Sequence, residues 1–219
     1  MVAKSTAVAK TAAGKAAASA RERLLAAADE LFYEEGVHTV GIDRVIERAG
    51  VAKASLYNTF GSKDELIRCY LRERHEDKRD RIMRGLERYG SPREKLLGVY
   101  EIQAEAVADP KFRGCAFVNA SAEAAPGGPA EDVSAEHRGW LRALFVDLAE
   151  AAGAADAEAL AGRLVLLYDG ATIGARMDRD AAAPLAARAV AEVLIDQALA
   201  AAPNRATAGR PRRSVVAGP

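Results

Sequence analysis

Apolar positions recur at helical spacing along nearly the whole chain. Leu24, Leu25, Ala28, Leu31 and Phe32 make one stripe, which predicts a first helix over residues 21–35 closed by Gly36. Ile42, Val45, Ile46 and Ala49 make a shorter stripe that stops at Gly50, a residue suited to a left-handed helix end. Val51 and Leu56 can pack back on that stripe. Ser62 and Glu65 have capping-box spacing and predict a long helix, whose inner face begins with Leu66, Ile67, Tyr70 and Leu71. Ser91-Pro92-Arg93-Glu94 is a second capping box with proline at the first helical position. That helix should end before Pro110, because the residue preceding a proline avoids helical geometry.

A short helix is expected after Gly114, and a loop at Pro126-Gly127-Gly128-Pro129. Val133, His137, Trp140, Leu141, Leu144, Phe145 and Leu148 place a helix over 130–151. Asp156 caps the next, with Leu160, Leu164, Leu167, Tyr168 and Ala171 on one face. Pro184 opens the last, with Leu185, Ala189, Val193 and Leu194. No stretch alternates with the period of a strand and no segment repeats, so the predicted fold is all-α.

Composition sharpens this picture. Half of the 219 residues are hydrophobic while aromatics are only 5%, and the excess is alanine, which favours helix. The formal net charge is zero, so any nucleic-acid binding must come from local patches. Cys69 and Cys115 make no disulfide framework and no CxxC pair. His38, His75 and His137 stand far apart and suggest no metal site, and no cofactor is indicated. No apolar run is long enough to span a membrane, and a cytoplasmic location is expected. Residues 1–19 and 203–219 are low in complexity and basic, and are expected to be disordered arms.

The segment IDRVIERAGVAKASLYNTFGSK, residues 42–63, carries the chemistry. It reads as two short helices joined by a tight turn. Lys53, Ser55, Tyr57, Asn58 and Thr59 are left pointing outward from the second. Hydroxyls, an amide and a cation on one short helix suit phosphates and base edges in a major groove.

These residues resemble the DNA-binding domain of the TetR (tetracycline-repressor-type) family of transcriptional regulators. The likeness runs from RLLAAADELFYEEG through the turn A-G-V to L-Y-N-T-F-G-S-K-D-E-L, about residues 21–67. One departure is Gly41, where many members place Thr or Ser as the helix cap; glycine is a weaker but acceptable N-cap. The resemblance implies a three-helix helix-turn-helix domain over 20–66 and a helical effector-binding and dimerisation domain over 67–202. It also implies that Tyr57 and Lys63 touch the DNA backbone. Phosphate contacts of this kind supply affinity rather than specificity. RGCAFVNASAE, residues 113–123, looks like a motif in one subset of such C-terminal domains.

Lys53, Ala54, Ser55 and Asn58 are the groove-facing candidates, since asparagine can pair with adenine and lysine with guanine. Thr39 and Arg44 could reach phosphates at the start of the second helix, or serve only as cap and solvated surface. Tyr100, Gln103, Phe117, Asn119, Glu123, Trp140 and Tyr168 could line an effector cavity, although each aromatic among them could equally be core. Arg72, Arg74, Lys78, Arg79, Arg81 and Arg84 interleave with Glu73, Glu76, Asp77, Asp80 and Glu87, which reads as a solvated, ion-paired helix face. Cys115 follows a glycine near a helix start, where a thiol can be activated, but a small residue in a packed turn is the simpler reading.

The expected function is a ligand-responsive transcriptional regulator, most simply a repressor. It would bind a pseudo-palindromic double-stranded DNA operator as a homodimer and be released by a small-molecule effector. An activator or a ligand-independent regulator is the alternative. A helical enzyme using Cys115 lacks any visible Cys-His-Asp arrangement, and a nonspecific DNA coater would rely on the basic arms alone. The last two long helices, roughly 156–172 and 184–202, are the expected dimer interface, because their alanine-rich faces permit close approach.

Overall fold

The computed structural model describes residues 18–123 and 127–201. The expectations for the N-terminal arm and for 203–219 fall outside these residues, apart from the cap at Ser19. Among the described residues the chain forms nine α-helices and no strand: α1 (Ala20–Glu35), α2 (Ile42–Ala49), α3 (Lys53–Phe60), α4 (Lys63–Leu86), α5 (Pro92–Val107), α6 (Ala116–Glu123), α7 (Pro129–Ala152), α8 (Ala157–Asp178) and α9 (Ala183–Ala200).

Most helix ends follow from local chemistry. Ser91 and Glu94 close the expected capping box, and the Asp156 carboxylate accepts from the Ala159 amide. The sequence reading missed a further box at Ser19, whose hydroxyl accepts from the Glu22 amide while the Glu22 carboxylate accepts from the Ser19 amide. It overstated the one at Ser62. That hydroxyl does accept from the Glu65 amide, but the Glu65 carboxylate takes Arg68 at 2.7 Å. Pro129 belongs to the first turn of α7 rather than to the preceding loop, as its fixed φ and missing amide allow.

The side chains gather into two cores. The first joins Leu24, Leu31 and Phe32 of α1 with Val45, Leu56, Phe60 and Tyr70, and extends to Phe117 and Ala120 of α6 and Val133 of α7. Apolar packing is therefore continuous across residue 66, and α6 shares a core with the N-terminal helices. The second core holds Tyr100, Phe145, Leu160, Leu164 and Tyr168 with Ala191 and Ile195 of α9. Burial of this order, about 25 cal/mol per Å² of apolar surface, is what holds a bundle of alanine-rich helices together.

Two polar ties strengthen the junction. The Tyr33 hydroxyl on α1 accepts from the Arg113 amide and donates to the Gly114 carbonyl, both at 2.9 Å. At the far end of α6, the Glu123 carboxylate accepts from the His38 amide at 3.0 Å. Gly36 makes that approach possible. Its φ is +98°, and a Cβ there would lie 2.5 Å from the Glu123 carboxylate.

Candidate nucleic-acid interface and effector cavity

The helix-turn-helix is built from α2, Gly50 and α3. Gly50 has φ 62° and ψ 43°, the left-handed conformation that lets the chain reverse, and its amide returns to the Ile46 and Glu47 carbonyls. Leu56 and Phe60 are buried and fix the rotation of α3. That rotation leaves Lys53, Ala54, Tyr57, Asn58 and Thr59 exposed and Ser55 half-exposed. Tyr57 is 45% exposed, a large area for an aromatic ring on a short helix. The expected reading face is thus one continuous surface.

Several polar groups on this surface are already engaged. Lys53 Nζ pairs with Asp43 at 2.9 Å, and the contact raises its pKa. Arg44 makes a two-pronged pair with Glu35 at 2.6 and 2.9 Å, and that hydrogen bonding raises its pKa. The Thr59 hydroxyl donates to the Ser55 carbonyl at 2.6 Å. Such exposed pairs are weak and exchange readily for phosphate. Lys63 is partly buried at the start of α4, 6.0 Å from the centre of the Phe32 ring, and burial lowers its pKa. Thr39 is exposed in the α1–α2 turn.

The second site is a cavity beneath α6. It has two chambers, of about 480 Å³ and about 660 Å³. They meet at Lys78, Gly114, Cys115, Phe117, Tyr168 and Thr172. Of the seven residues expected to line a cavity, Gln103, Phe117, Asn119 and Tyr168 do so. The other three stand elsewhere. Tyr100 is fully buried and donates to the Leu164 carbonyl at 2.7 Å, so it is core. Trp140 packs edge-on against His75 beside the second core. Glu123 is drawn to the His38 amide. Asn119, one turn earlier on α6, donates to the Arg113 carbonyl at 3.1 Å.

Two features in or beside the cavity wall were missed from sequence. His75 and His137, 62 positions apart, bring their Nδ1 atoms to 3.0 Å, and Phe117 stacks on the His137 ring at 3.9 Å. Burial, helped by the positive charge of Lys78, pushes the His137 pKa down to about 2. The second is Lys78 itself. It leaves the solvated cation row of α4 and points between the chambers, 5.1 Å from the centre of the Tyr168 ring. Arg74 also leaves the row, pairing with Asp29 of α1 over the Tyr33 ring. Sequence spacing gave no signal for any of these, because each partner lies on another helix. Among the described residues no group of three or more His, Cys, Asp or Glu side chains could hold a metal ion. No described helix is long and apolar enough to cross a membrane.

The family model described as "Bacterial regulatory proteins, tetR family" matches residues 24–68, which are α1 to the first turns of α4. Over the wider fold, the chain is 32% identical to SCO4454, a TetR-family transcriptional regulator from Streptomyces coelicolor. The two superpose with a TM-score of 0.72 over 83% of this chain and 94% of that one. The protein belongs to the TetR family. Family membership makes it a DNA-binding transcriptional regulator rather than an enzyme. Two curated relatives come from Mycolicibacterium smegmatis. The transcriptional activator FasR is 47% identical over 57 residues, 26% of each chain. The transcriptional repressor KstR2 is 31% identical over 90 residues, 41% of this chain and 44% of its own. Matches to the curated relatives span about half of their length or less.

Proposed function

We propose that this TetR-family protein is a ligand-responsive repressor that binds a pseudo-palindromic operator as a homodimer and releases it when a small molecule fills the cavity beneath α6. The observation that carries the reading is the α3 surface. A short helix is pinned by Leu56 and Phe60, and turns Tyr57, Asn58 and Lys53 outward together. Placed in a major groove, Lys53, Ala54, Ser55 and Asn58 face base edges, while Tyr57 and Lys63 reach the flanking phosphates. Arg44, Thr39 and Thr59 lie at the margin, where phosphate replaces the carboxylate and carbonyl partners of Arg44 and Thr59.

The homodimer is supported by α8 and α9, which are joined by a short connection and so lie as antiparallel neighbours. Leu166 is 68% exposed and Val193 55%, with Leu185 and Val190 also exposed. Apolar side chains this exposed on adjacent helices mark an interaction surface. A two-fold copy of the pair gives a four-helix interface and presents two reading heads.

Release is supported by the position of α6. It roofs the cavity and is tied to the reading head at both ends, through Tyr33 and through Glu123. If α6 is shifted in the DNA-free protein, a ligand that binds that form more tightly than the DNA-bound form must, by linkage, weaken DNA binding by the same factor. The repressor relative KstR2 supports repression, and the activator relative FasR supports the alternative sign.

The test is a fluorescence-anisotropy titration of an operator enriched from genomic DNA. Tyr57→Ala and Lys63→Ala should each weaken binding similarly on different operators, and the lysine change should reduce the salt slope by about one unit. Wild-type affinity from both variants would remove α3 and the start of α4 as the DNA-contacting surface.

A further inference from the structure

The chemistry of the cavity narrows what it can hold, and the argument rests on reading that cavity as the effector site. Gln103 is 5% exposed and lines the smaller chamber. Its Nε2 donates to the Tyr168 carbonyl at 2.8 Å and to the Thr172 hydroxyl at 2.7 Å. Those contacts fix the orientation of the amide, because a flip would set its oxygen against the Tyr168 carbonyl. The Oε1 atom, so oriented, is buried and has no partner among the described residues. An unmet buried acceptor is costly, so it selects for a donor.

Lys78 stands where the two chambers meet. Among the described residues no carboxylate lies within 4.0 Å of its ammonium, whereas Arg74 is matched with Asp29 and Arg138 with Asp169. The remaining cations of the lining, Arg81, Lys111 and Arg176, are exposed at the rim. Glu30, on the outer rim, is held by Arg48. Glu34 and Asp77 are exposed at that rim. Burial works against the Lys78 charge, while the approach of Tyr168 and Cys115 favours it, and the balance raises its pKa. The larger chamber continues away from it between Phe117, Leu141 and Ile173. Its volume of about 660 Å³ falls in the range of small-molecule sites.

We propose that the cavity takes an apolar organic acid bearing a hydrogen-bond donor. The carboxylate sits on Lys78 Nζ, the donor meets Gln103 Oε1, and the apolar body fills the chamber between Phe117, Leu141 and Ile173. Each requirement comes from a different wall, so each can be removed separately.

Isothermal titration of the full chain with three matched probes tests this: 3-hydroxydecanoate, decanoate and methyl 3-hydroxydecanoate. The hydroxy acid should bind tightest. Decanoate should be weaker by roughly threefold to tenfold, and the uncharged ester by roughly tenfold to a hundredfold, as expected for a neutral and a charge-assisted hydrogen bond. Lys78→Met nearly keeps the shape of the side chain, and should abolish the difference between acid and ester by weakening the acid far more than the ester. Equal binding of acid and ester to the wild type, or equal loss of both in Lys78→Met, would overturn the proposal and leave the cavity as an effector site for neutral ligands. Failure of all three probes to bind would overturn both. The predicted affinity pattern without any change in operator affinity would uphold the ligand class and defeat the effector reading.

Discussion

His137 gives the structure a pH dependence whose size can be worked out. Its ring is buried against Phe117, its Nδ1 faces His75 Nδ1, and Lys78 and Arg138 bear on it electrostatically. Burial first, then these neighbours, hold its pKa at about 2, against an ordinary value of 6.5. The folded state thus binds fewer protons than the unfolded state below pH 6.5. Stability is fully present above that pH and falls as the solution is acidified towards the folded pKa. At pH 5 the unfolded chain gains about 1.5 log units of protonation at this one site, worth about 2 kcal/mol. The figure is insensitive to the folded value so long as that lies below about 4. For a chain of this size it corresponds to a Tm lowered by roughly 4–8 °C. The perturbation is His137→Gln, which cannot titrate but can still hydrogen bond to His75. Thermal unfolding of both proteins is followed between pH 7.5 and 5, above the range where most carboxylates protonate. The wild type should lose about 2 kcal/mol more than the variant across this window. Parallel curves would refute the argument, since they would mean that His137 is protonated as easily in the fold as in the unfolded chain.

Tyr33→Phe removes one hydroxyl and leaves the Arg113 amide and Gly114 carbonyl without it. It should cost about 1–3 kcal/mol and expose the Arg113 amide to hydrogen exchange, and unchanged exchange would break the proposed tie between α1 and α6. Val193→Asp or Leu166→Asp should convert a dimer to a monomer in analytical ultracentrifugation at micromolar concentration without loss of helical circular dichroism. Unaltered sedimentation in both would exclude the α8–α9 face as the dimer interface.

What was legible in the sequence, and what was not, divides along a physical line. The α1 stripe, the Gly50 turn and the Ser91–Glu94 box are local in sequence, so periodicity and capping chemistry reveal them. The outward set on α3 follows from the same periodicity, because Leu56 and Phe60 must face in. The cavity is a different matter. Gln103, Phe117, Asn119 and Tyr168 were named with Tyr100, Trp140 and Glu123, and nothing in their spacing separates the two groups. Tyr100 was settled by the Leu164 carbonyl 64 positions away, and Glu123 by the His38 amide 85 positions away. Lys78 was read as one more member of an ion-paired row. Its departure from that row depends on where α4 passes Tyr168 of α8. Long-range helix packing decided these positions, and a single sequence carries no period for it.

The central claim is that two α3 helices on one dimer read two halves of one operator. The most direct measurement is a footprint, with stoichiometry, on DNA selected by the protein from genomic fragments. The account predicts two protomers per minimal site, and two protected major-groove segments about 34–36 Å apart, or a multiple of that spacing, related by a two-fold axis. Asn58→Ala should weaken the selected site by about 1–3 kcal/mol while leaving random DNA unaffected. A single protected segment bound by one protomer, or an Asn58→Ala variant that keeps full preference for the selected site, would contradict it.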